Sequence, residues 1–270
     1  MSSTRGATTD TTTLGDPERR RVVDHVRVMS LTWCGEDARL VTAAPSPAVA
    51  EQIRPFLPAR EVMDYAGSRH TPGDYYSHTD DELLRYESWN ECRWLRILDF
   101  DPHITYLVAQ PLTIEGFDIE GTLTATPDIY AETRDGERLV IDPHVSELDM
   151  LDPKDAIRAA RRARLVGATC EYLGWTYYPV ETPPQPLAAN TDFLADFARD
   201  IGYDPVRPTI LQAAHRATTL SDLWKQLGMT LGNHPLVPSC TYHLLWTHEL
   251  TFDRNERLST QTIVRSTSDH

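Results

Sequence analysis

The sequence predicts an α/β protein in which helices flank a mixed β-sheet with a central hairpin, followed by a mostly helical C-terminal domain. Segments rich in β-branched and aromatic residues alternate with helix-periodic segments over residues 81–181. The dipeptide Asp135-Gly136, a strong hairpin turn signal, separates two of the β-rich segments. A proline-rich stretch, residues 181–186, then marks a linker before a region with helical patterns.

The chain of 270 residues is long enough for one large domain or two small ones. Residues 1–20 are rich in Ser, Thr and Gly and are predicted to be disordered. Residues 21–80 are predicted to form an N-terminal β-hairpin, from segments 22–32 and 38–44, and an irregular lead-in with one short helix. Residues 81–181 form the predicted core, and residues 188–265 the C-terminal domain.

The core elements follow from local signals. The acid-proline pair Asp152-Pro153 provides an N-cap and a first-turn proline, so a long helix is expected to begin there and to run to about Leu173. The other predicted core elements are a helix at residues 88–98 and strands at residues 104–109, 112–114, 129–133, 138–141 and 176–180.

The central hairpin brings two aspartates close together at its open end. A two-residue loop would pair Asp128 with Pro143 and place the carboxylates of Asp128 and Asp142 on opposite faces of the sheet. We predict instead a three-residue loop with a glycine bulge, which pairs Asp128 with His144. In that register Asp128, Asp142 and His144 point the same way.

A third acid lies on the helix before the hairpin. Glu91 falls on the same helical stripe as Trp94, Leu95 and Leu98, so its carboxylate is directed at the core. Such burial is costly unless a cation or hydrogen bonds compensate for it. Glu87 is the alternative acid, and pairing of Glu91 with Arg93 or Arg96 is the structural alternative. Three acids from a helix and a hairpin suit an oxygen-ligand Mg²⁺ site.

Composition limits the class of protein. The net charge of −14 argues against a generic nucleic-acid coat protein but is compatible with an acidic metal site. No apolar run has the length of a membrane span, and the N-terminus lacks the pattern of a signal peptide, so we expect no membrane association. The four scattered cysteines, Cys34, Cys92, Cys170 and Cys240, indicate reduced structural thiols in a cytoplasmic protein.

The predicted long helix is the most basic segment of the chain. It carries Lys154 and four arginines, of which Arg158, Arg161 and Arg162 are the candidate DNA-binding residues. A basic face of this kind can follow DNA phosphates. The alternative is a solvated helical face.

The C-terminal region is predicted to be a winged-helix-like domain that binds DNA or protein. Helical segments at residues 208–217, 221–227 and 239–250 precede an alternating stretch, residues 251–264, that suits a small β-wing around Arg254-Asn255. His243, Trp246 and His248 are explained by packing of an amphipathic helix rather than by a metal site.

A wider pattern resembles a known family. The stretch YESWNECRWLRILDFDPHITYLVAQPLTI, then TPDIY, then LVIDPH, is similar to the nuclease domain of TnsA-like transposase endonucleases, in the PD-(D/E)xK nuclease superfamily. The preceding GSRHTPGDYYSHTDDELLRYESWNE and the tail CTYHLLWTHELTFDRNERLSTQTIV resemble actinobacterial-type members. The similarity covers roughly residues 60–265, and its specific part is the block from 86 to 144.

The resemblance implies a restriction-endonuclease-like fold and a set of catalytic residues. Glu91 matches the helix glutamate of the family, Asp128 its central aspartate, and Asp142 the position before the variable residue. These three residues would hold Mg²⁺ or Mn²⁺. His144 stands where the family has a lysine, and it completes the implied catalytic set.

His144 is a departure from the family pattern. A lysine supplies a fixed positive charge beside the attacking water, whereas a histidine can orient water, act as a base or ligate a transition metal such as Mn²⁺. The chain has only two lysines, Lys154 and Lys225. Lys154, the sole plausible substitute, lies in the first turn of the long helix, so we do not expect it to replace the missing lysine.

The family also implies a reaction and partners. The TnsA-like subunit cuts double-stranded DNA at the 5′ ends of a transposable element. An integrase-type transposase subunit cuts and joins the 3′ ends, and an ATPase regulator bridges the assembly to its target. Two alternatives are a subunit of the same assembly that has lost cleavage and serves as a DNA-binding scaffold, and a restriction-type or repair-type nuclease outside transposition.

Overall fold

A computed structural model describes residues 26–59, 71–144 and 152–267. Over these residues the chain is a mixed α/β protein, as predicted. The predicted disorder of residues 1–20 and the first residues of the predicted N-terminal hairpin lie outside the described residues.

The described residues form thirteen strands and seven α-helices. The strands are β1 (Arg27–Cys34), β2 (Leu40–Ala43), β3 (Gly73–Ser77), β4 (Glu82–Tyr86), β5 (Ile104–Ala109), β6 (Leu112–Asp118), β7 (Gly121–Ala125), β8 (Ile129–Thr133), β9 (Arg138–Pro143), β10 (Thr176–Val180), β11 (Thr218–Thr219), β12 (Leu250–Thr251) and β13 (Ile263–Ser266). The helices are α1 (Pro47–Gln52), α2 (Trp89–Asp99), α3 (Pro153–Leu173), α4 (Gln185–Leu194), α5 (Arg207–Ala213), α6 (Leu220–Leu231) and α7 (Leu236–Trp246).

The central sheet has the strand order β10-β9-β8-β5. Strands β5, β8 and β9 are antiparallel, and β10 runs parallel to β9. Because side chains alternate along β8, Ile129 and Ala131 pack under α2 on one face, in a cluster with Leu95. Tyr130 packs on the other face with Leu165 of α3. Helices α2 and α3 are therefore anchored to opposite faces of the sheet at whose end the two aspartates lie.

Local capping signals fix these two helices. The Ser88 hydroxyl accepts a hydrogen bond from the Glu91 backbone N–H at 3.2 Å and caps α2. The Asp152 carboxylate caps α3 by accepting from the Lys154 backbone N–H at 2.9 Å. Helix α3 ends at Gly174, whose φ of +70° is the left-handed conformation that glycine tolerates. The predicted bounds of both helices are confirmed to within one residue.

The central hairpin has the predicted three-residue loop with a glycine bulge. The Thr133 N–H donates to the Glu137 carbonyl at 2.9 Å, and Gly136 has a φ of +84°. The predicted pairing was wrong, because Ile129 lies opposite Ile141, so Asp128 lies opposite Asp142 and not opposite His144. The error is two residues, and an even shift leaves every side chain on its face. Asp128 and Asp142 therefore share a face, as expected.

The second four-stranded sheet has the order β2-β1-β6-β7 and is antiparallel throughout. It confirms the predicted hairpin of β1 and β2. Strand β7 and the β3–β4 hairpin were not predicted. Strand β7 is rich in Gly and Thr and lies at a sheet edge, and β3 falls in a stretch whose prolines and glycines suggested irregular structure. Tyr75 and Leu84, one from each strand of that hairpin, are buried with the apolar side chains of α2.

The C-terminal part folds as a separate layer against the core. Its elements follow the order α5-β11-α6-α7-β12-β13, and its sheet has the order β11-β13-β12. Helix α7 spans Leu236–Trp246, so it begins three residues before and ends four residues before the predicted helix at residues 239–250. His243 and Trp246 lie on α7 and are buried, so the packing explanation is confirmed for these two residues. His248 lies beyond the end of the helix, where its Nε2 is 2.6 Å from the Phe100 carbonyl.

Helix α4 begins at Gln185, inside the predicted linker, and joins this part to the core. Its Asp192 accepts a hydrogen bond from the Arg96 guanidinium of α2 at 2.8 Å. All four cysteines are free and buried, as expected for structural thiols. Over the described parts of the chain, no helix has both the length and the apolar character needed to cross a bilayer.

Candidate functional site

Two aspartates meet at one end of the central sheet. Asp128 directly precedes β8, and its backbone N–H donates to the Asp142 Oδ1 of β9 at 3.2 Å. The Tyr177 hydroxyl of β10 donates to the other oxygen, Oδ2, at 3.0 Å. Asp142 is thus held in one orientation from both neighbouring strands.

The electrostatic environment of Asp128 is unusual. Burial raises the pKa of its carboxyl well above the ordinary aspartate value, and the nearby carboxylates of Asp142, Glu91 and Glu87 raise it further. None of these principal influences is a cation. Four acids therefore lie close together, and no basic side chain is among the groups that most affect the pKa of Asp128.

Glu91 reaches this place from the first turn of α2. Its side chain is buried, and its Oε2 accepts a hydrogen bond from the Glu87 backbone N–H at 2.8 Å. Arg96, one of the alternative partners suggested by the sequence, forms its ion pair with Asp192. The core-directed position predicted for Glu91 is confirmed.

His144 directly follows β9, two residues after Asp142. Its backbone N–H donates to the Val180 carbonyl at 2.7 Å, and its carbonyl accepts from the Asn90 Nδ2 at 3.2 Å. The backbone of His144 thus ties the end of the hairpin to α2. Residues 145–151, which follow it, lie outside the described residues.

Three polar residues at the site were not identified as functional from the sequence. Tyr177 is the donor to Asp142, and Asn90 is the donor to the His144 carbonyl. Gln110 follows β5, and its side-chain Nε2 donates to the Glu87 Oε1 at 3.3 Å. The sequence offered one signal for them, because Asn90 and Gln110 belong to the same family-like block as Glu91. Tyr177 is in place only because β10 lies beside β9.

The donor set suits a hard divalent cation, since carboxylate and amide oxygens are the ligands that Mg²⁺ prefers. As the side chains stand, however, no group of three or more His, Cys, Asp or Glu residues within residues 26–59, 71–144 and 152–267 is arranged to hold a metal ion. Both oxygens of Asp142 and one oxygen of Glu91 accept hydrogen bonds from the protein. The Mg²⁺ or Mn²⁺ site stays a prediction.

The predicted DNA-binding arginines border a separate groove between α3 and β7, with a volume of about 580 Å³. Arg158 and Arg162 are exposed there, next to Lys154. Arg161 differs, because its guanidinium forms two hydrogen bonds to Asp118, at 2.7 and 2.6 Å, and its side chain is only 16% exposed. Arg161 therefore holds α3 to the end of β6, while Arg158 and Arg162 face solvent.

Comparison with known proteins gives no assignment. No protein-family model matches the chain, and no significant match was found among curated proteins.

Proposed function

We propose that this chain is a metal-dependent DNA endonuclease of the TnsA-like type. In this proposal it cuts the 5′ ends of a transposable element together with an integrase-type subunit and an ATPase regulator. The observation that carries the proposal is the convergence of Asp128, directly before β8, and Asp142 of β9 with Glu91 from the preceding helix. Three oxygen-bearing acids from these elements are what the family-like motif requires.

The order of elements supports this proposal. Helix α2 precedes β5, β8, β9, α3 and β10, with β6 and β7 of the second sheet inserted between β5 and β8. The four strands of the central sheet lie across it in chain order. A mixed sheet with a central hairpin and a helix on each face is the architecture expected of a restriction-endonuclease-like core. An unrelated acidic surface hairpin would not need a helix glutamate buried at the same end of the sheet.

The residues have distinct proposed roles. Glu91, Asp128 and Asp142 would hold Mg²⁺ or Mn²⁺, which in nucleases activates water and neutralises charge on the phosphate. Tyr177 and the Asp128 backbone N–H orient the Asp142 carboxylate. Arg158 and Arg162 of α3 would bind backbone phosphates of the double-stranded DNA substrate.

The C-terminal part supports a winged-helix-like assignment, with helix, strand, two helices and a two-stranded wing in that order. In DNA-reading proteins of the helix-turn-helix class, a recognition helix enters the major groove. The corresponding α7 is mostly buried and contains neither Lys nor Arg. We therefore propose that this domain uses its surface for protein partners, such as the ATPase regulator, and does not read DNA through α7.

A specific observation favours a second candidate, a subunit that has kept the architecture but lost cleavage. His144 occupies the position of the motif lysine, and the principal influences on Asp128 include no cation. Lys154 lines the groove between α3 and β7 with Arg158 and Arg162. Such a subunit would bind DNA and the partner subunits as a scaffold.

A cleavage assay separates these candidates. The full chain is combined with the purified partner subunits, Mn²⁺ and a plasmid that carries the transposon ends, and strand breaks at the 5′ ends are mapped. Asp128→Ala tests the assigned site, and Asp135→Asn, at the exposed turn of the same hairpin, is the matched control. The endonuclease proposal expects cutting by the wild type and the control, and none by Asp128→Ala.

Cutting that persists in Asp128→Ala would overturn the assigned site. Binding of the ends without any cutting by the wild type, at several Mn²⁺ concentrations, would favour the scaffold candidate. A restriction-type or repair-type enzyme would cut without the partner subunits, which makes their omission the third arm of the assay.

A further inference from the structure

Two buried amide oxygens beside the acidic cluster have no hydrogen-bond partner. They are the Asn90 Oδ1 and the Gln110 Oε1, and within the described residues they are the only buried side-chain oxygens without one. Asn90 is 8% exposed and Gln110 is 1% exposed. Buried polar atoms in folded proteins are nearly always paired, so two unpaired oxygens near one site require an explanation.

The orientation of both amides is fixed by their nitrogens. The Asn90 Nδ2 donates to the His144 carbonyl at 3.2 Å, and the Gln110 Nε2 donates to the Glu87 Oε1 at 3.3 Å. Rotating either amide by half a turn would bring two acceptor oxygens together. The unpaired atoms are therefore the oxygens, and what each of them lacks is a donor or a cation.

The backbone brings both amides to the aspartate pair. Gln110 lies opposite Asp128, since its N–H donates to the Asp128 carbonyl at 2.7 Å. Asn90 precedes Glu91 in the first turn of α2 and contacts the end of β9. Gln110 also has a φ of +51°, a left-handed conformation that is uncommon for a residue with a side chain. Gln110 adopts this backbone conformation while its side-chain nitrogen donates to the Glu87 carboxylate.

The surrounding charge indicates which partner is absent. The groups that interact electrostatically with Asp128 are the carboxyls of Asp142, Glu91 and Glu87, and an ionised carboxylate accepts hydrogen bonds but donates none. A divalent cation with its bound water would satisfy the amide oxygens and offset the carboxylate repulsion together. A buried water alone would satisfy only the oxygens.

We propose that the amide oxygens of Asn90 and Gln110 belong to the coordination shell of the divalent cation, either as ligands or as acceptors from its bound water. This inference rests on the metal site of the proposed function and adds two neutral oxygens to its three acids. Neutral oxygens complete the shell without adding negative charge to a crowded site. The shell thus joins α2, the end of β5 and the central hairpin.

Titration of Mn²⁺ into the full-length chain, followed by electron paramagnetic resonance of the free ion, tests the inference without any cleavage. The variants are Gln110→Met and Asn90→Ala, with Gln110→Glu to restore an oxygen at the same reach. Asn190→Ala is the matched control, because Asn190 is a buried amide whose oxygen and nitrogen are both partnered in the C-terminal part. Asp128→Asn defines the affinity of the site itself.

We expect Gln110→Met and Asn90→Ala each to weaken Mn²⁺ binding by about tenfold or more, the range seen when groups around a bound metal are removed. Gln110→Glu should recover much of the loss, and Asn190→Ala should bind as the wild type does even if it melts earlier. If a variant fails to fold, the other amide position provides the same comparison.

Two outcomes would overturn the inference in distinguishable ways. Mn²⁺ binding that depends on Asp128 but is unchanged in Gln110→Met and Asn90→Ala would leave the proposed function standing and assign the amides to a buried water. Absence of any Asp128-dependent Mn²⁺ binding would remove both the inference and the metal site. Amide-dependent binding by a protein that does not cut DNA would support the inference and favour the scaffold candidate.

Discussion

Asp118 and Asp128 show how differently one kind of side chain behaves in two regions of this molecule. The Arg161 guanidinium holds Asp118 with two hydrogen bonds and lowers the pKa of that carboxyl. Burial and then the neighbouring Asp142 raise the pKa of Asp128. The first aspartate ties α3 to the sheet and stabilises the fold. The second is kept where its charge opposes folding, which is the arrangement expected of a site that binds a cation.

The largest loss of stability should come from a substitution that weakens the packing of α3 against the central sheet. Leu165 of α3 is fully buried against the central sheet, and truncation of such a side chain costs about 2–5 kcal/mol. Leu165→Ala should therefore lower the free energy of unfolding by that amount in urea titrations. Ile157→Ala, on the exposed side of the same helix, should change it by less than about 0.5 kcal/mol. Equal losses would show that α3 is not anchored through this face.

The protein should lose stability when the pair between Arg161 and Asp118 is broken. Arg161→Met keeps most of the apolar stem but removes both hydrogen bonds to Asp118, so its melting temperature at neutral pH should be below that of the wild type. The folded pKa of Asp118 is lowered, so the stabilisation is present above the unfolded aspartate pKa and is lost as the pH falls through the folded value. The difference in melting temperature should accordingly shrink in acid. A gap that stays constant down to acidic pH would contradict this account.

Removal of the charge of Asp128 should have the opposite effect and should stabilise the protein. Asp128→Asn removes a charge that burial and Asp142 disfavour, so the variant should melt at a higher temperature than the wild type at pH 8 without divalent ions. A raised folded pKa contributes stability that is full below the unfolded aspartate pKa and is lost as the pH rises through the folded value. The advantage of the variant should therefore vanish near pH 4.

Asp135→Asn, at the exposed hairpin turn, is the control for this comparison and should show no such pH dependence. A lower melting temperature for Asp128→Asn at pH 8 would mean that the carboxylate makes a stabilising contact in the fold. In that case the contrast between the two aspartates would not hold.

The smallest effect on stability is expected on the exposed basic face of α3. Arg158 forms an exposed pair with Asp155, so Arg158→Gln combined with Arg162→Gln should change the free energy of unfolding by less than about 0.5 kcal/mol. The double variant should bind duplex DNA more weakly, and its salt dependence should be shallower by about two, one unit for each lost phosphate contact. Fluorescence anisotropy over a series of salt concentrations measures both quantities. Arg216→Gln, on the exposed surface of the C-terminal part, is the charge control, and equal DNA affinity in all three proteins would exclude this face.

Much of the core could be predicted because its signals are local. Ser88 and Asp152 cap their helices within a few residues, and Asp135-Gly136 specifies the hairpin loop. The pairing partner of Asp128 was predicted two residues too far along β9, yet the shared face was correct because side chains alternate with a period of two. The β3–β4 hairpin was missed because its buried face forms only when Tyr75 and Leu84 pack under α2.

The sequence by itself determined which acids stand at the ends of which elements, since caps, turns and periodicity act over a few neighbouring residues. The tertiary structure decided how those acids are used. It pairs Arg161 with Asp118 and directs the Tyr177 hydroxyl to Asp142. It also places the side-chain amides of Asn90 and Gln110 beside the acidic cluster. These contacts join residues far apart in the chain, and they depend on how strands and helices pack. Sequence spacing alone therefore cannot specify them.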